Sequence, residues 1–318
     1  MVRVLELFAG IGACSKALTN LGIEHEIVDA VEIDKYAITA FNAIHGTNFD
    51  PQDITKWYKD IECDLIMHGS PCQDFSLAGK QAGGDKNSGT RSSLMYETLR
   101  IVEKLKPKYV IWENVKNLLS TKHRHNFDAY LEVMEKLGYK NYFQVLNAKD
   151  YSVPQNRERV FTVSIRNDTH KDFKFPTRRP LTKRLKDVLE SDVDEKYYLS
   201  EKAISCFMSD GTGKYPRRER FLQNINRKNQ DIGNSITTRA GSRPTDNFVV
   251  DDMYNVENNP IRIRKLTPKE CWRLMGFDDA SFERAEKVNS NAQLYKQAGN
   301  SIVVNVLEGI LRELFRIT

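Results

Sequence analysis

No apolar run in the chain approaches the roughly eighteen residues that a membrane-spanning helix needs, which excludes a candidate transmembrane segment. Cysteine is scarce. Five residues, Cys14, Cys63, Cys72, Cys206 and Cys271, an odd number without a CxxC pair, give neither a disulfide framework nor a zinc site; a reducing cytoplasm and no bound metal are expected. Internal repeats and low-complexity tracts are absent, which excludes solenoids and fibrous arrays. Arg3 followed by apolar residues up to Ile11-Gly12-Ala13-Cys14 loosely matches a lipoprotein export signal, but Glu6 interrupts the would-be apolar region and no signal is expected.

What is present is the make-up of a soluble globular protein: 318 residues, 40% apolar and 29% charged, enough for an α/β domain and a smaller module. Through residue 166, short β-branched apolar runs alternate with amphipathic stretches, the pattern of a mostly parallel sheet with crossover helices. Strands are expected at Val2–Phe8, Glu26–Val31, Asp64–His68, Tyr109–Trp112, Asn141–Leu146 and Arg159–Ile165. Helices are expected near Ser15–Leu21, Lys35–His45, Ser92–Leu105 and Asn126–Leu137. From about Phe175 to Asn259 the rhythm fails in a stretch rich in Asn, Arg, Asp, Gly and Pro, which reads as a separate module. Order resumes at Thr267-Pro268-Lys269-Glu270, a capping box with proline at the first helical position, leading to Met275. A last helix carries an apolar stripe from Ile302 to Phe315, starts at Gly299-Asn300-Ser301 and is expected to pack back on the sheet.

The net charge of +5 is unevenly spread. Between Lys214 and Arg243 eight basic residues face only Glu219 and Asp231, leaving the rest of the chain near neutral. Such a block suits a phosphate-backbone surface, with a solvated face as the alternative.

Leu5 to Gly12 is a strand running into a glycine turn and a helix, with Glu32 at the end of the next strand placed to accept from a ribose diol. Ser15 stands where a dinucleotide fingerprint has its third glycine, which disfavours a nicotinamide enzyme. More specific is Gly69-Ser70-Pro71-Cys72-Gln73 after a strand, then Trp112-Glu113-Asn114-Val115 after the next, then Gln155-Asn156-Arg157-Glu158-Arg159. With Phe8 to Gly12, Asp53-Ile54-Thr55, Leu266 to Phe277 and Gln297-Ala298-Gly299-Asn300-Ser301, in this order over nearly the whole chain, the set resembles the DNA cytosine-5 methyltransferases of bacterial and phage modification systems.

The resemblance implies an S-adenosylmethionine-dependent, Rossmann-like large domain over residues 1–174, a target-recognition domain over 175–262, and a C-terminal segment, 263–318, completing the large domain, with DNA in the cleft between lobes. Cys72 would be the nucleophile, since carbon 5 of cytosine attacks a sulfonium methyl only after a thiolate has added at carbon 6. Glu113 would protonate N3, a role that suits a raised pKa, and Arg157 and Arg159, two apart on one strand face, would hold O2 and orient the acid. Taken alone, Glu113 and the arginines are equally well a structural ion pair. For the other four cysteines a buried apolar role is expected.

For the cofactor the resemblance implies Phe8, Ala9, Gly10 and Gly12 in the loop, Glu32 with Ile33 at the ribose, Asp53 with Ile54 at the adenine, and Pro71, Asn300 and Ser301 toward the methionine end; S-adenosylhomocysteine would leave. Asp74 to Arg91, dense in Gly, Ser and Lys, is expected to be a lid over the flipped base, with Ser76 and Arg91 at the DNA. Ser235 to Gly241 resembles the threonine-containing core of the family's recognition regions, bringing Thr237 and Thr238 to the DNA. Arg239 and Arg243 are expected to read base edges and Arg217, Arg218 and Arg220 to meet phosphates, against the alternative that all five contact DNA nonspecifically. The partner is double-stranded DNA, met by a monomer, with a cognate restriction endonuclease acting separately. A transfer-RNA cytosine-5 methyltransferase of the same fold is the nearest alternative, since Cys206-Phe207-Met208 resembles the Cys-Phe-Thr signature of that branch. A catalytically silent DNA-binding regulator is another.

Overall fold

The computed structural model describes residues 1–71, 94–209, 217–226, 231–251 and 262–317. Their chain divides into two compact units: Met1–Asn147 with Glu158–Thr177 and Val304–Thr318, and Ala148–Arg157 with Arg178–Val303.

The first unit is a six-stranded sheet. Its strands are β1 (Val2–Leu7), β2 (His25–Val31), β3 (Leu65–His68), β4 (Tyr109–Val115), β5 (Tyr139–Asn147) and, after a short β6 (Gln155–Asn156) in the other unit, β7 (Glu158–Arg166). All six expected strands are found, in the order β2-β1-β3-β4-β7-β5, with only β7 antiparallel to its neighbours. Helices α1 (Ala13–Asn20), α2 (Lys35–His45), α3 (Met95–Leu105) and α4 (Arg124–Lys136) follow strands as crossovers do. Asp34 caps α2 through the amides of Tyr36 and Ala37, and Gly46, at φ +69°, ends it in the left-handed region that glycine occupies without strain. Trp112, Phe127 and Tyr130 sit in the main core, with the indole of Trp112 4.1 Å from the Tyr130 ring. Order reverses between β1 and β3, so the sheet has its switch point there, where α/β sheets hold ligands at the carboxyl edge. Register brings Leu7 level with His68, and His68 level with Trp112, so the residues just after them share that edge.

The second unit is less regular. Helices α5 (Glu201–Met208) and α6 (Arg217–Asn224) cover a small sheet of β8 (Ile225–Asn226), β10 (Phe248–Asp251) and β11 (Arg262–Lys265), while β9 (Gly233–Asn234) pairs with β6. Phe207, Phe221 and Phe248 form its apolar centre, with ring centroids 5.1 to 5.6 Å apart. Helices α7 (Pro268–Arg273), α8 (Asp279–Glu286) and α9 (Asn291–Asn300) complete it. The expected capping box is formed, and its Glu270 also takes a bidentate bond from buried Arg264, at 2.8 Å to each oxygen.

Two expectations about the C-terminus change. Gly299-Asn300 closes α9 instead of opening the last helix, which is α10 (Val304–Phe315). Residues 263–303 also fall in the second unit, so only α10 returns to the sheet unit, where it packs on α1 and sets Phe315 against Tyr109. The apolar stripe was visible in the sequence. The two preceding helices were not, because their buried faces are short and mixed with polar residues.

Candidate active site

Glu113 lies on β4, 9% exposed, and its carboxylate takes the guanidinium of Arg159 at 3.0 Å. Register explains the pair: Arg159 stands opposite Val115 across the β4–β7 ladder, and Glu113 is the diagonal neighbour on the same face. The next strand over, β3, ends at His68 and leads into Gly69-Ser70-Pro71. That turn is tied to β4 from both sides of Glu113: the Trp112 indole donates to Ser70 Oγ at 2.9 Å, and Asn114 Nδ2 donates to the Ser70 carbonyl at 3.4 Å. These two bonds fix the turn that precedes Cys72 in the sequence. Cys72 itself lies outside the described residues, as do Ser76, Arg91 and the expected lid. Behind the turn, burial drives His68 down to about 3, so its ring is neutral as it meets the Tyr130 hydroxyl at 3.1 Å.

Arg157 does not join Arg159. β7 begins at Glu158, so strand alternation does not run across the two arginines, and Arg157 belongs to the other unit. There it is 5% exposed and donates to the carbonyls of Ile236, Gly299 and Ser301, at 3.0, 3.1 and 3.0 Å, and to the Ser235 hydroxyl. Neighbouring Gln155 accepts from the Ile236 amide and donates to the Leu274 carbonyl. The expected shared grip on a base is replaced by a staple between Ser235–Ile236 and the end of α9. Gly299 shows how close that approach is: a Cβ there would lie 2.3 Å from the Thr238 nitrogen.

At the switch point the chain turns tightly, with Phe8, Gly10 and Gly12 all at positive φ. For Phe8, at φ 53°, this is a strained conformation of the kind that collects at ligand sites. Gly12 has no room for a side chain, since a Cβ would run into His45 and Phe41, whereas a Cβ at Gly10 would meet nothing within 4 Å. Ala9 is buried against Ala30 and Phe41. The Glu32 carboxylate accepts from the Gly10 amide at 3.0 Å and the Asp34 amide at 2.8 Å, and burial pushes its pKa up. The Ile33 amide is a third donor to this carboxylate, which leaves acceptor capacity for a further hydroxyl. Ile33 beside it is 71% exposed, an apolar side chain held open next to a polar one. Asp53 caps a short turn through Thr55, whose hydroxyl and amide hold its carboxylate below the usual range. Ile54 is a core residue that seats Asp53; its side chain is buried with Leu5 and Trp57. An open glycine, a carboxylate with spare acceptors, an exposed apolar side chain and a second fixed carboxylate fit an adenosine group.

Sequence profiles of known families decide the class: that of the C-5 cytosine-specific DNA methylases matches residues 2–316. The chain belongs to this family. It is a DNA cytosine-5 methyltransferase, and the family uses S-adenosylmethionine and duplex DNA. The type II methyltransferase M2.ScrFI of Lactococcus lactis subsp. cremoris is 34% identical, with 99% of each chain covered. The type II methyltransferase M.Bsp6I of Bacillus sp. (strain RFL6) is 33% identical, again over 99% of each. The orphan methyltransferase M.SPBetaI of Bacillus phage SPbeta is 32% identical over 98% of this chain and 97% of its own. Among solved structures, a Spodoptera frugiperda DNMT2 variant shares the fold, with TM-score 0.76 and 22% identity over 99% of this chain and 100% of its own. This methyltransferase thus has the expected cofactor-binding fold, and its family acts on DNA, against the transfer-RNA and nicotinamide alternatives.

The recognition candidates lie in the second unit. Thr238, Arg239 and Arg243 are exposed, Thr237 is half-buried, and Arg218 and Arg220 are exposed on α6; the side chain of Arg217 is outside the described ones. Asn300 and Ser301 end α9. Among the described residues no group of His, Cys, Asp and Glu could hold a metal, and no helix is long and apolar enough to cross a membrane. Sequence reasoning missed Ser70, Trp112, Gln155 and Gly299 as positioning residues, although each lies inside a motif it had singled out.

Proposed function

We propose that Cys72 is the nucleophile of this methyltransferase, Glu113 the acid at N3 and Arg159 the residue that holds that acid, acting on a cytosine flipped out of a specific duplex sequence. The observation that carries the reading is the Glu113–Arg159 pair between β4 and β7, with β4 next to the strand that leads to Cys72. S-adenosylmethionine, when bound, supplies an electrophilic methyl carbon; Phe8, Glu32, Ile33 and Asp53 would hold its adenosine, and Pro71, Asn300 and Ser301 its methionine end. The Cys72 thiolate adds to carbon 6 while Glu113 gives a proton to N3, which leaves an enamine whose carbon 5 can take the methyl. Loss of the carbon 5 proton to a base then expels the thiolate, and return of the N3 proton to Glu113 leaves neutral 5-methylcytosine with the acid restored. A monomer acts on the DNA in the cytoplasm, with Arg217, Arg218 and Arg220 at phosphates and Thr237, Thr238, Arg239 and Arg243 at the target sequence; a companion endonuclease would act separately.

With 5-fluorocytosine at the target position, carbon 5 carries fluorine in place of the departing proton, so elimination stops and the enzyme stays bonded to the DNA. Cys72→Ser should lose both this adduct and nearly all turnover, while keeping DNA and cofactor affinity. Denaturing electrophoresis of labelled DNA reads the result, and an adduct that persists in Cys72→Ser removes this cysteine as the nucleophile.

A further inference from the structure

Between Thr237 and Asp246 the chain makes a ten-residue excursion carrying Arg239 and Arg243, and one carboxylate shapes it. Asp246 is 3% exposed. Its Oδ1 accepts from the Thr237 hydroxyl at 3.1 Å, and its Oδ2 accepts from the amides of Ser242 and Arg243 at 3.0 and 2.9 Å. The chain thus closes on Asp246 from its first residue and from the turn that precedes Arg243. Gly241, at φ +82°, packs on the Lys265 side chain so closely that a Cβ would reach 2.5 Å, which fixes the same turn from outside.

The next residue extends the framework. Asn247 accepts from the Asn234 amide at 2.7 Å and donates to its carbonyl at 3.0 Å. Asn234 donates in turn to Asn224, and Asn224 donates to the Pro244 carbonyl within the excursion, at 3.3 Å. Asn224 is the last residue of α6, the helix that carries Arg218 and Arg220. A chain of buried and half-buried amides therefore joins the helix with one arginine set to the loop with the other. Such a network makes sense if the spacing between the two sets matters, because isolated exposed arginines binding phosphate need no such registration.

We propose that Asp246 is the specificity-positioning residue of this methyltransferase: its carboxylate holds residues 237–246 in the single shape that presents Arg239 and Arg243 to the base edges of the target site. This rests on the reading of that loop as DNA-reading. Bases are told apart only when a guanidinium meets them in a fixed geometry, so loosening the loop degrades discrimination before it degrades nonspecific affinity, which depends on charge alone. Asp246 touches no base. An asparagine there offers an amide nitrogen toward donors that need an acceptor, so one side of the loop is released without a change of volume.

The test uses the full-length enzyme. Bisulfite sequencing of a plasmid grown with it gives the site, after which kcat/KM is measured on that duplex and on single-base variants. Asp246→Asn should reduce discrimination on the order of tenfold to a hundredfold, with cofactor affinity and the salt dependence of nonspecific binding unchanged. Thr237→Val, which removes one of the three bonds, should lose less, and Thr237→Ser should restore wild-type discrimination. If Asp246→Asn does not fold, Gly241→Ala decides, since its Cβ would meet Lys265 at 2.5 Å and displace the same turn without altering a residue placed at the DNA: reduced discrimination with nonspecific affinity kept supports the proposal, and unchanged discrimination overturns it. Asp246→Asn that keeps discrimination, or loses activity on all duplexes in parallel, overturns it as well. Arg239→Gln with Arg243→Gln tests the underlying reading separately. If that pair is without effect while Asp246→Asn lowers discrimination, Asp246 keeps its role and the two arginines lose theirs.

Discussion

In the sheet unit, Glu113 and Arg159 meet because ladder register puts them diagonally on one face, and the turn before Cys72 is tied to the same strand by Trp112 and Asn114. Among the described residues of the second unit no ladder is long, and Arg157, Gln155 and Asp246 hold loops by bonding directly to backbone groups. The difference suits the two tasks. Chemistry on cytosine needs one geometry, which regular backbone pairing repeats reliably, whereas the sequence-reading role proposed for residues 237–246 would fall to a loop. Side-chain staples let such a loop be rigid without being regular. The first unit should therefore fail by losing rate, and the second by losing stability or selectivity.

The largest effect is expected at Glu113. Glu113→Gln should lower kcat by roughly 10²–10⁴-fold, the usual span for a general acid, while discrimination between duplexes and cofactor affinity stay as they are. Steady-state rates on matched and mismatched duplexes check both halves of that statement. Next comes Arg157→Ala, which strips charge-assisted donors from two buried carbonyls and a half-buried one and should cost on the order of 3 kcal/mol in urea unfolding. A variant that unfolds like the wild type yet has lost kcat would return Arg157 to the base and blur the contrast between units. Gly299→Ala should destabilise by about 1–3 kcal/mol, because the obstacle at 2.3 Å is backbone and has nowhere to go; a thermal melt measures it.

The smallest expected effect is a slope. Burial pushes Glu6 up to about 7, against the donors of Ser15 and Cys14 at the start of α1. Its proton is held more tightly in the folded chain than in the unfolded one. The stability it lends is complete below the ordinary value of 4.5 and is lost as pH rises toward about 7. Glu6→Gln should flatten that part of the stability profile, as urea midpoints across the range would reveal.

Much of the sheet unit could be read in advance. Its six strands announced themselves as β-branched runs, and Glu113 with Arg159 followed from motif order. The Arg157 error has a physical origin: period-two reasoning assumes a continuous strand, and the chain passes from β6 in one unit to β7 in the other at that residue. The roles of Ser70, Gln155 and Gly299 were hidden because each depends on a partner 42 to 119 positions away or on an absence of space. Asp246 had no signal at all, being one acidic residue in a polar stretch without periodicity.

Gly299 also sets a limit on protein engineering. Exchanging residues 175–262 between relatives to move a sequence preference is attractive, yet Arg157 and Gly299 would stay with the host while 235–238 came from the donor. The incoming strand of chain must settle onto a host glycine with no slack, and must offer its carbonyl at 236 to a host guanidinium already committed to 299 and 301. A hybrid spliced with a shift of one residue at that seam would misassemble even if its new loop were perfect. Donor segments that keep the backbone path at 235–238, or that travel together with their own partners at 155–157 and 297–301, are the ones that should be transplantable.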